Sequence, residues 1–435
     1  MLSNPHPLLI RASLALALAF GFSIGLYLIL GFAFDLPLSA STPALMQVHG
    51  QVQALGFVTM FIIGVGVQLF PRFHASRLDR PRLVSIGGLL LASGVVLRAL
   101  SQPVLPGPLW RSIGLVGSGI LELVGVALAV YAFARVIRGS VQPERGGFAA
   151  VLPATLGLSL LGALILNAVL CVYLAQGGIV VPPPQDEALL HLELWGFATS
   201  MALAVSGRIF PRFLLLQDTR ERLLPYAFVL WAVGALGVPA AWLALPSLTG
   251  ARAVAALAQL AGAALFVIAL RLYELPARSS GMPHVTYPTR RWIRLAFAMM
   301  LASATADFGL ALAESLGTTI PTLTELSAAR HALAQGFLLP LIVLMAARIL
   351  PGYSGQMMRQ PQLLSAMMWT LISGAALRFV AELFGSYGPG WGALVALGGT
   401  LGVVAFVVFA VGLWLAESRV PALASRVSSS THAGR

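Results

Sequence analysis

The sequence predicts an all-α polytopic membrane protein of about twelve transmembrane helices, built as three parallel four-helix units. The membrane assignment depends on composition, since 58% of the 435 residues are apolar and only 10% are charged. A soluble chain of this length could not bury so much apolar surface. Apolar windows recur along the whole chain, and each can cross roughly 30 Å of hydrocarbon as a helix. An internal repeat, described below, predicts the three units.

Twelve such segments are present, and no stretch between them is long and polar enough for a separate soluble domain. Residues 1–435 are therefore predicted to form one integral membrane domain. The first segment is longer than the apolar part of a signal peptide, which spans about 7–15 residues, and the repeat requires it. The segments cover residues 8–31, 45–70, 83–101, 110–135, 149–175, 188–210, 224–245, 251–272, 292–316, 328–350, 363–384 and 391–415.

The net charge of +12 comes from arginine, because the chain contains no lysine. Most of these arginines follow even-numbered segments or lie in the C-terminal tail, whereas the odd-numbered loops carry few. Positive residues concentrate in cytoplasmic loops. We therefore predict an inner (cytoplasmic) membrane protein with both termini in the cytoplasm. A nucleic-acid partner is not expected, since it would require a clustered basic face.

Segments 2, 6 and 10 share the pattern that supports the repeat. Each contains a Gly-Phe pair followed by a proline, and both features recur at intervals of 140 residues. Segments 3 and 11 also share the pattern Ser-Gly-x-x-Leu-Arg at residues 93–98 and 373–378. The three Gly-Phe pairs and their prolines are Gly56-Phe57 with Pro71, Gly196-Phe197 with Pro211, and Gly336-Phe337 with Pro351.

This repeat sets the orientation of the three predicted units. A four-helix unit has an even number of crossings, so every copy enters the membrane in the same direction. Many secondary transporters instead contain inverted repeats. We predict three parallel units at residues 8–135, 149–272 and 292–415, closed around a pseudo-threefold axis normal to the membrane.

Three histidines lie within the predicted membrane, near the outer starts of segments 2, 6 and 10: His49, His191 and His331. A polar side chain at this depth costs free energy without a partner, and imidazole is the commonest metal ligand. The alternative is three separate helix-end histidines that bond to neighbours or interfacial water. Their register also differs, because Gln51 takes the slot of His191 and His331 in the first unit. A two-residue shift turns a side chain by roughly 200° around a helix.

Two arginines, Arg98 and Arg378, lie at a similar depth near the outer ends of segments 3 and 11. A guanidinium can bind a carboxylate through two parallel hydrogen bonds. Two alternatives remain for Arg378: it can pair with Glu382 one helical turn away, or extend toward the membrane surface.

The helix count, the parallel units and the positions of the histidines resemble the catalytic subunit of haem–copper oxidases. In those proteins the corresponding helices carry ligands of haem and of a copper ion. The sequence His191-Leu-Glu193-Leu-Trp195 is similar to the His-Pro-Glu-Val-Tyr of their copper site, with Trp195 in place of the tyrosine. Segment 7 lacks the histidine pair of the oxidases. The resemblance implies their fold, without their histidine–tyrosine cross-link.

A closer resemblance, over essentially the whole chain, is to the NnrS family. Residues 331–336, with the helix end at 348–356, are similar to the segment 10 pattern of the family, although Tyr353 replaces a histidine. Residues 206–211 match the end of segment 6. In segment 2, the pattern His-x-His-Glu keeps only its first histidine. NnrS proteins are linked to the nitric oxide response and hold haem and copper, which implies the same cofactors here.

The resemblance and the residues together favour a haem-binding membrane protein of the NnrS type. It would act in the response to nitric oxide or another diatomic gas, or in electron transfer from an unknown donor. We expect a b-type haem with His49 and His331 as axial ligands, and Arg98 and Arg378 bonded to its propionates. The three histidines, His49, His191 and His331, allow either this haem with two histidine ligands, or a haem with one histidine ligand together with copper. His191 is the candidate for copper or for an open site. Whether the protein is an enzyme stays open.

Three further polar residues and the cysteine bear on the expected metal sites. Gln51, Glu193 and Gln335 are expected to form hydrogen bonds that orient the imidazoles. The single cysteine, Cys171, excludes an internal disulfide and a thiolate cluster.

Two rival functions need no cofactor. Glu122, Glu193 and Asp307 could serve a membrane transporter or proton channel, because buried acids often mark ion pathways. The parallel repeats argue against that class. Alternatively, the protein is a structural subunit in which polar residues only hold helices together. A haem absorption band in the purified protein separates these classes.

Overall fold

The structure is a computed structural model that describes residues 5–104, 107–140, 151–244, 249–275, 283–354, 361–385 and 390–418. Within these ranges it contains twelve helices long and apolar enough to cross a membrane. The predicted fold class of a multi-pass helical membrane protein is therefore confirmed. The spans are α1 Pro5–Ala33, α2 Thr42–Phe73, α3 Pro81–Ser101, α4 Leu109–Arg138, α5 Val151–Ala175, α6 Pro183–Phe213, α7 Glu221–Ala244, α8 Thr249–Ala269, α9 Thr289–Ser315, α10 Leu323–Ala347, α11 Gln362–Phe384 and α12 Trp391–Leu413.

Three of these helices form the centre of the molecule. In α2, α6 and α10, 72% of the residues in the most apolar window are buried, compared with 33–50% in the other nine spans. The nine less buried helices therefore lie around the three central ones, and their outer faces contact lipid. The central helices are the ones that carry His49, His191 and His331.

The outer helices connect successive units in a closed arrangement. Helix α4 packs against α5, α8 against α9, and α12 against α1. The last of these contacts joins the two ends of the chain, with the rings of Phe22 and Phe406 stacked at 4.2 Å between centroids. This closure is what three parallel four-helix units would produce, so it supports the repeat. The three-unit organisation stays a prediction.

Each central helix contains a π-helical turn, where the hydrogen bonds widen to span five residues. These turns are Val52–Thr59 in α2, Leu192–Thr199 in α6 and Ala334–Leu338 in α10. The first two begin 140 residues apart, and all three contain the Gly-Phe pair of the repeat. Such turns are rare and occur often at functional sites. Each turn begins one to three residues after the histidine of its helix.

The phenylalanines of the Gly-Phe pairs fix two of the central helices against the outer ones. Phe57 packs edge-on against Phe406 of α12, with 5.0 Å between ring centroids. Phe337 packs in the same way against Phe297 of α9, also at 5.0 Å. Edge-to-face aromatic pairs contribute about 0.5–1.5 kcal/mol beyond their buried area. These contacts hold α2 and α10 in a fixed rotation, which in turn directs their histidines.

Candidate functional site

The three histidines lie at similar distances from the starts of the central helices. Proline occupies the first turn of α2 and of α6. Helix α10 begins with a capping box, in which Thr322 and Glu325 exchange hydrogen bonds between side chain and backbone. The histidines follow the first residues of their helices by seven or eight positions. At 1.5 Å per residue this places each imidazole roughly 11–12 Å from its helix start.

His331 is held through one nitrogen of its ring. Its Nδ1 lies 2.9 Å from the carbonyl oxygen of Ser327 and 3.2 Å from Oε2 of Glu382. Carbonyl and carboxylate oxygens only accept hydrogen bonds, so Nδ1 carries the proton. The lone pair therefore lies on Nε2, the nitrogen left free to bind a metal.

Glu382 connects His331 to an arginine. Its second carboxylate oxygen, Oε1, accepts a hydrogen bond from Nε of Arg378 at 2.8 Å. The Glu382 side chain is only 4% exposed, so its negative charge depends on this neighbour. Arg378, Glu382 and His331 thus form a chain from guanidinium to carboxylate to imidazole. Of the alternatives for Arg378, the structure shows the pairing with Glu382. The same carboxylate also contacts His331.

His49 is held through the same nitrogen by a different acceptor. Its Nδ1 donates to the backbone carbonyl of Gly21 in α1 at 2.8 Å. Nε2 is again the unprotonated nitrogen. The ring lies in a notch formed by Gly25, where an added Cβ would come within 2.6 Å of the imidazole Cε1. Only glycine at position 25 leaves room for the ring in this place.

The structure brings His49 and His331 into the same region, where α12 packs against α1. The titratable neighbours of His49 on α10 and α11 are His331, Arg378 and Arg330. The two-residue offset of His49 explains this placement, because it turns the ring toward α1, the helix that packs against α12. We therefore treat these two histidines as one candidate site.

His191 lies apart from them and uses its other nitrogen. Its Nε2 is 3.0 Å from the side-chain oxygen of Gln259 in α8. The ring stacks near Trp195 at 6.0 Å between centroids. A small cleft beside it is lined by Trp242 and Asp307, among others. This environment contains no second imidazole.

The residues around His191 do not fit a copper site. Copper sites in proteins combine several nitrogen or sulfur ligands. Within the described part of the chain, no group of three or more histidine, cysteine, aspartate or glutamate side chains is placed to hold a metal ion. His191 is instead a buried histidine bonded to Gln259, as the non-metal alternative predicts for it.

Arg98 belongs to a different network, between α3, α4 and α5. Its Nε donates to Gln102 at 2.9 Å, and its Nη1 donates to the side-chain oxygen of Asn167. The amide nitrogen of Asn167 in turn donates to Glu122, which also accepts from Ser118. The Arg98 side chain is 1% exposed. Its guanidinium is thus committed to this network, so we do not include Arg98 in the candidate site.

The residues expected to orient the imidazoles do not do so. Gln335 donates to the carbonyl of Gly398, at 3.0 Å. Neither carboxylate oxygen of Glu193 forms a hydrogen bond of normal geometry, and Gln51 lies close to Glu122 and Glu193. Glu193 and Gln335 lie within the π-helical turns, which rotate their side chains. Gln51 directly precedes the turn of α2 and is directed toward Glu122 and Glu193. The expectation for these three residues was therefore wrong.

The groups that hold the imidazoles were missed at the sequence level. They are Ser327 and Glu382 for His331, and the Gly21 carbonyl for His49. Ser327 precedes His331 by four residues, a spacing that puts both on one helical face, and this was the one local signal. Glu382 was recognised only as a neighbour of Arg378. Its contact with His331 joins α11 to α10, which no spacing along one helix reveals.

Fold and site together define a polytopic membrane protein with an oxidase-like helical bundle and an asymmetric histidine pair. A similar solved structure is described as "Cryo-EM structure of a heme-copper terminal oxidase dimer provides insights into its catalytic mechanism". The TM-score is 0.72 at 12% identity, over 95% of this chain and 84% of that chain. At this identity the likeness shows the fold alone.

The chain belongs to the NnrS family, because the family described as "NnrS protein" matches residues 7–419. The predicted family is therefore confirmed, as is the distant likeness to the haem–copper oxidases. The comparison with curated proteins gave no match.

Proposed function

We propose that the protein binds one b-type haem at the boundary of the third and first units, with His49 and His331 as axial ligands. The main support for this proposal is that the two imidazoles have the same tautomer. Both donate from Nδ1 to a protein oxygen, and both leave Nε2 without a hydrogen bond among the described residues. Histidines that ligate metals almost always donate their other ring N–H in this way.

The rest of the donor set fits a haem held without covalent bonds. The chain has a single cysteine, Cys171, so it lacks the two cysteines of a covalent haem attachment motif. Arg378 bonds to Glu382 through Nε, and its Nη groups form no hydrogen bond with described residues. They remain available for a propionate carboxylate, as a charge-assisted pair.

Haem supplies reversible binding of diatomic gases and one-electron transfer. With this cofactor the protein would act in the response to nitric oxide or a similar gas, or pass electrons from a donor in or beside the membrane. His49 and His331 would orient the haem, and Glu382 would set the basicity of His331. Copper has no supporting donor set among the described residues, so we propose haem alone.

The proposed location is the inner membrane with both termini cytoplasmic. The support is the arginine distribution of the sequence, since arginine-rich loops face the cytoplasm. In this orientation His49 and His331 lie in the outer part of the bilayer, where a diatomic gas dissolved in lipid can approach the site.

The competing transporter or proton channel has less support from the positions of its three acids. Glu122 and Glu193 lie near Gln51 at the boundary of the first and second units. Asp307 lies in the cleft beside His191, at the boundary of the second and third units. Glu122 and Glu193 are not among the described residues that line this cleft.

The test is the absorption spectrum of the full-length protein purified in detergent from cells supplied with haem. We expect a Soret band and a low-spin spectrum. His49→Ala and His331→Ala should each change it, whereas His191→Ala, a matched intramembrane histidine variant, should leave it unchanged. A monodisperse protein that contains no haem would overturn the proposal.

A further inference from the structure

The two histidines of the proposed haem site are anchored with unequal strength. His331 is held by Glu382, whose carboxylate is bonded to Arg378, and by the carbonyl of Ser327. His49 is held by one neutral acceptor, the carbonyl of Gly21. A haem in this site would therefore meet two chemically different imidazoles.

The carboxylate makes His331 the stronger ligand. A hydrogen bond from Nδ1–H to a carboxylate moves electron density into the ring and raises the basicity of Nε2. Hydrogen bonds to ionised groups are also roughly twice as strong as neutral ones. The Ser327 hydroxyl, 2.9 Å from Nδ1, adds a further contact that fixes the orientation of the ring.

The anchor of His49 lies in an outer helix. The Gly21 carbonyl belongs to a π-helical turn, Ala17–Phe22, in the outer helix α1. Such turns have non-standard backbone hydrogen bonding. His331 stands instead on the central helix α10 and is held by α11 as well. Displacing His49 from an iron atom therefore breaks fewer and weaker interactions than displacing His331.

We infer that His331 is the permanent axial ligand, and that His49 is the ligand which an incoming diatomic molecule replaces. The gas-binding side of the haem would then face the notch between α1 and α2. This inference rests on the proposed haem function. It distinguishes the two sides of the proposed haem and assigns Glu382 as the positioning residue of His331.

The test uses carbon monoxide as the probe, added to the dithionite-reduced full-length protein. His49→Ala should keep its haem, become five-coordinate and bind carbon monoxide at least about 10-fold faster, because no internal ligand must leave. His331→Ala should lose most of its haem. Glu382→Gln should weaken haem retention by about 10–100-fold, and raise the midpoint potential because a negative charge beside the ligand is removed.

Substitutions at two glycines provide a second test and its matched control. Gly25→Ala should press on the His49 ring, since its Cβ would come within 2.6 Å of the imidazole, and should speed carbon monoxide binding while haem content is kept. Gly157→Ala places the same methyl group where nothing lies within 4 Å, and should leave the rate unchanged. All variants are compared as monodisperse preparations, which separates loss of haem from loss of fold.

The outcomes separate this inference from the function on which it rests. Wild-type protein without a Soret band contradicts the haem proposal itself. Haem that survives His331→Ala but is lost with His49→Ala reverses the assignment. Haem lost equally in both variants, or a carbon monoxide rate unchanged by His49→Ala, contradicts the displaceable ligand while leaving the haem in place.

Discussion

Arg98 and Arg378 end the same six-residue pattern in the first and third units, yet they lie in different surroundings. Arg98 bonds to Gln102 and Asn167, and through Asn167 to the buried Glu122. Arg378 bonds to Glu382, and through it to His331. Both networks contain a guanidinium and a buried carboxylate. Only the second includes an imidazole with a free nitrogen.

The difference shows that the partner helices decide what a repeated arginine does. Around Arg98, side chains from α3, α4 and α5 hold the guanidinium, which stabilises the boundary between the first two units. Around Arg378, the carboxylate is shared with a histidine on α10. The same sequence pattern therefore leads to a network without histidine in one place and to the proposed haem site in the other.

The largest expected effect is on haem content. His331→Ala removes the strongly anchored ligand and should reduce the haem-to-protein ratio to a small fraction of the wild-type value. The pyridine haemochrome assay measures it. His191→Ala serves as the control, because His191 bonds to Gln259 outside the proposed site. Equal haem content in both variants would remove His331 from the site.

The next effect separates the two arginine networks by stability. Arg98→Leu breaks the hydrogen bonds of the guanidinium to Gln102 and Asn167, and Asn167 in turn binds the buried Glu122. Hydrogen bonds to charged groups contribute about 1.5–3 kcal/mol each. We expect a clear drop in thermal stability in detergent, with the Soret band of the folded fraction unchanged. A shifted Soret band would place Arg98 at the haem after all.

The matching change in the third unit should act on the cofactor. Arg378→Leu removes a charge-assisted contact to the propionates, worth about 1.5–3 kcal/mol. Haem affinity should therefore fall by roughly 10–100-fold. Transfer of haem to apomyoglobin measures this loss. The substitution also leaves the buried Glu382 without its paired arginine, so a loss of thermal stability is expected as well. Equal rates of haem release from Arg98→Leu and Arg378→Leu would contradict the proposal that only Arg378 contacts the haem.

A smaller effect is expected at Ser327. Ser327→Ala keeps the backbone carbonyl and removes only the hydroxyl near His331 and Glu382. A neutral hydrogen bond contributes about 0.5–1.5 kcal/mol. Haem release should accelerate by no more than about 10-fold, as followed in the same transfer assay. A complete loss of haem would mean that the hydroxyl, rather than the carboxylate, is the main anchor.

The sequence was sufficient for the fold because hydropathy and charge distribution act along the chain. Twelve apolar runs predicted twelve spans, and the common position of His49, His191 and His331 near the starts of their helices predicted their shared depth. Contacts between helices could not be predicted from the sequence in the same way. They depend on the rotation of each helix about its axis, and the π-helical turns change that rotation without a recognisable sequence signal.

The candidate site illustrates this limit residue by residue. His49 is offset by two residues from the register of His191 and His331, and that offset turns its ring toward α1. Glu382 lies 51 positions from His331, and only the packing of α11 on α10 joins them. Arg98 looked equivalent to Arg378 because the pattern does not show that Asn167 and Glu122 lie beside it.

The central claim is that one haem is held between His49 and His331. Electron paramagnetic resonance of the oxidised, full-length wild-type protein tests it most directly, together with the same spectrum of His49→Ala. We predict a low-spin ferric haem with two imidazole ligands in the wild type, and a high-spin haem in the variant. A low-spin spectrum that is identical in both proteins would contradict the account.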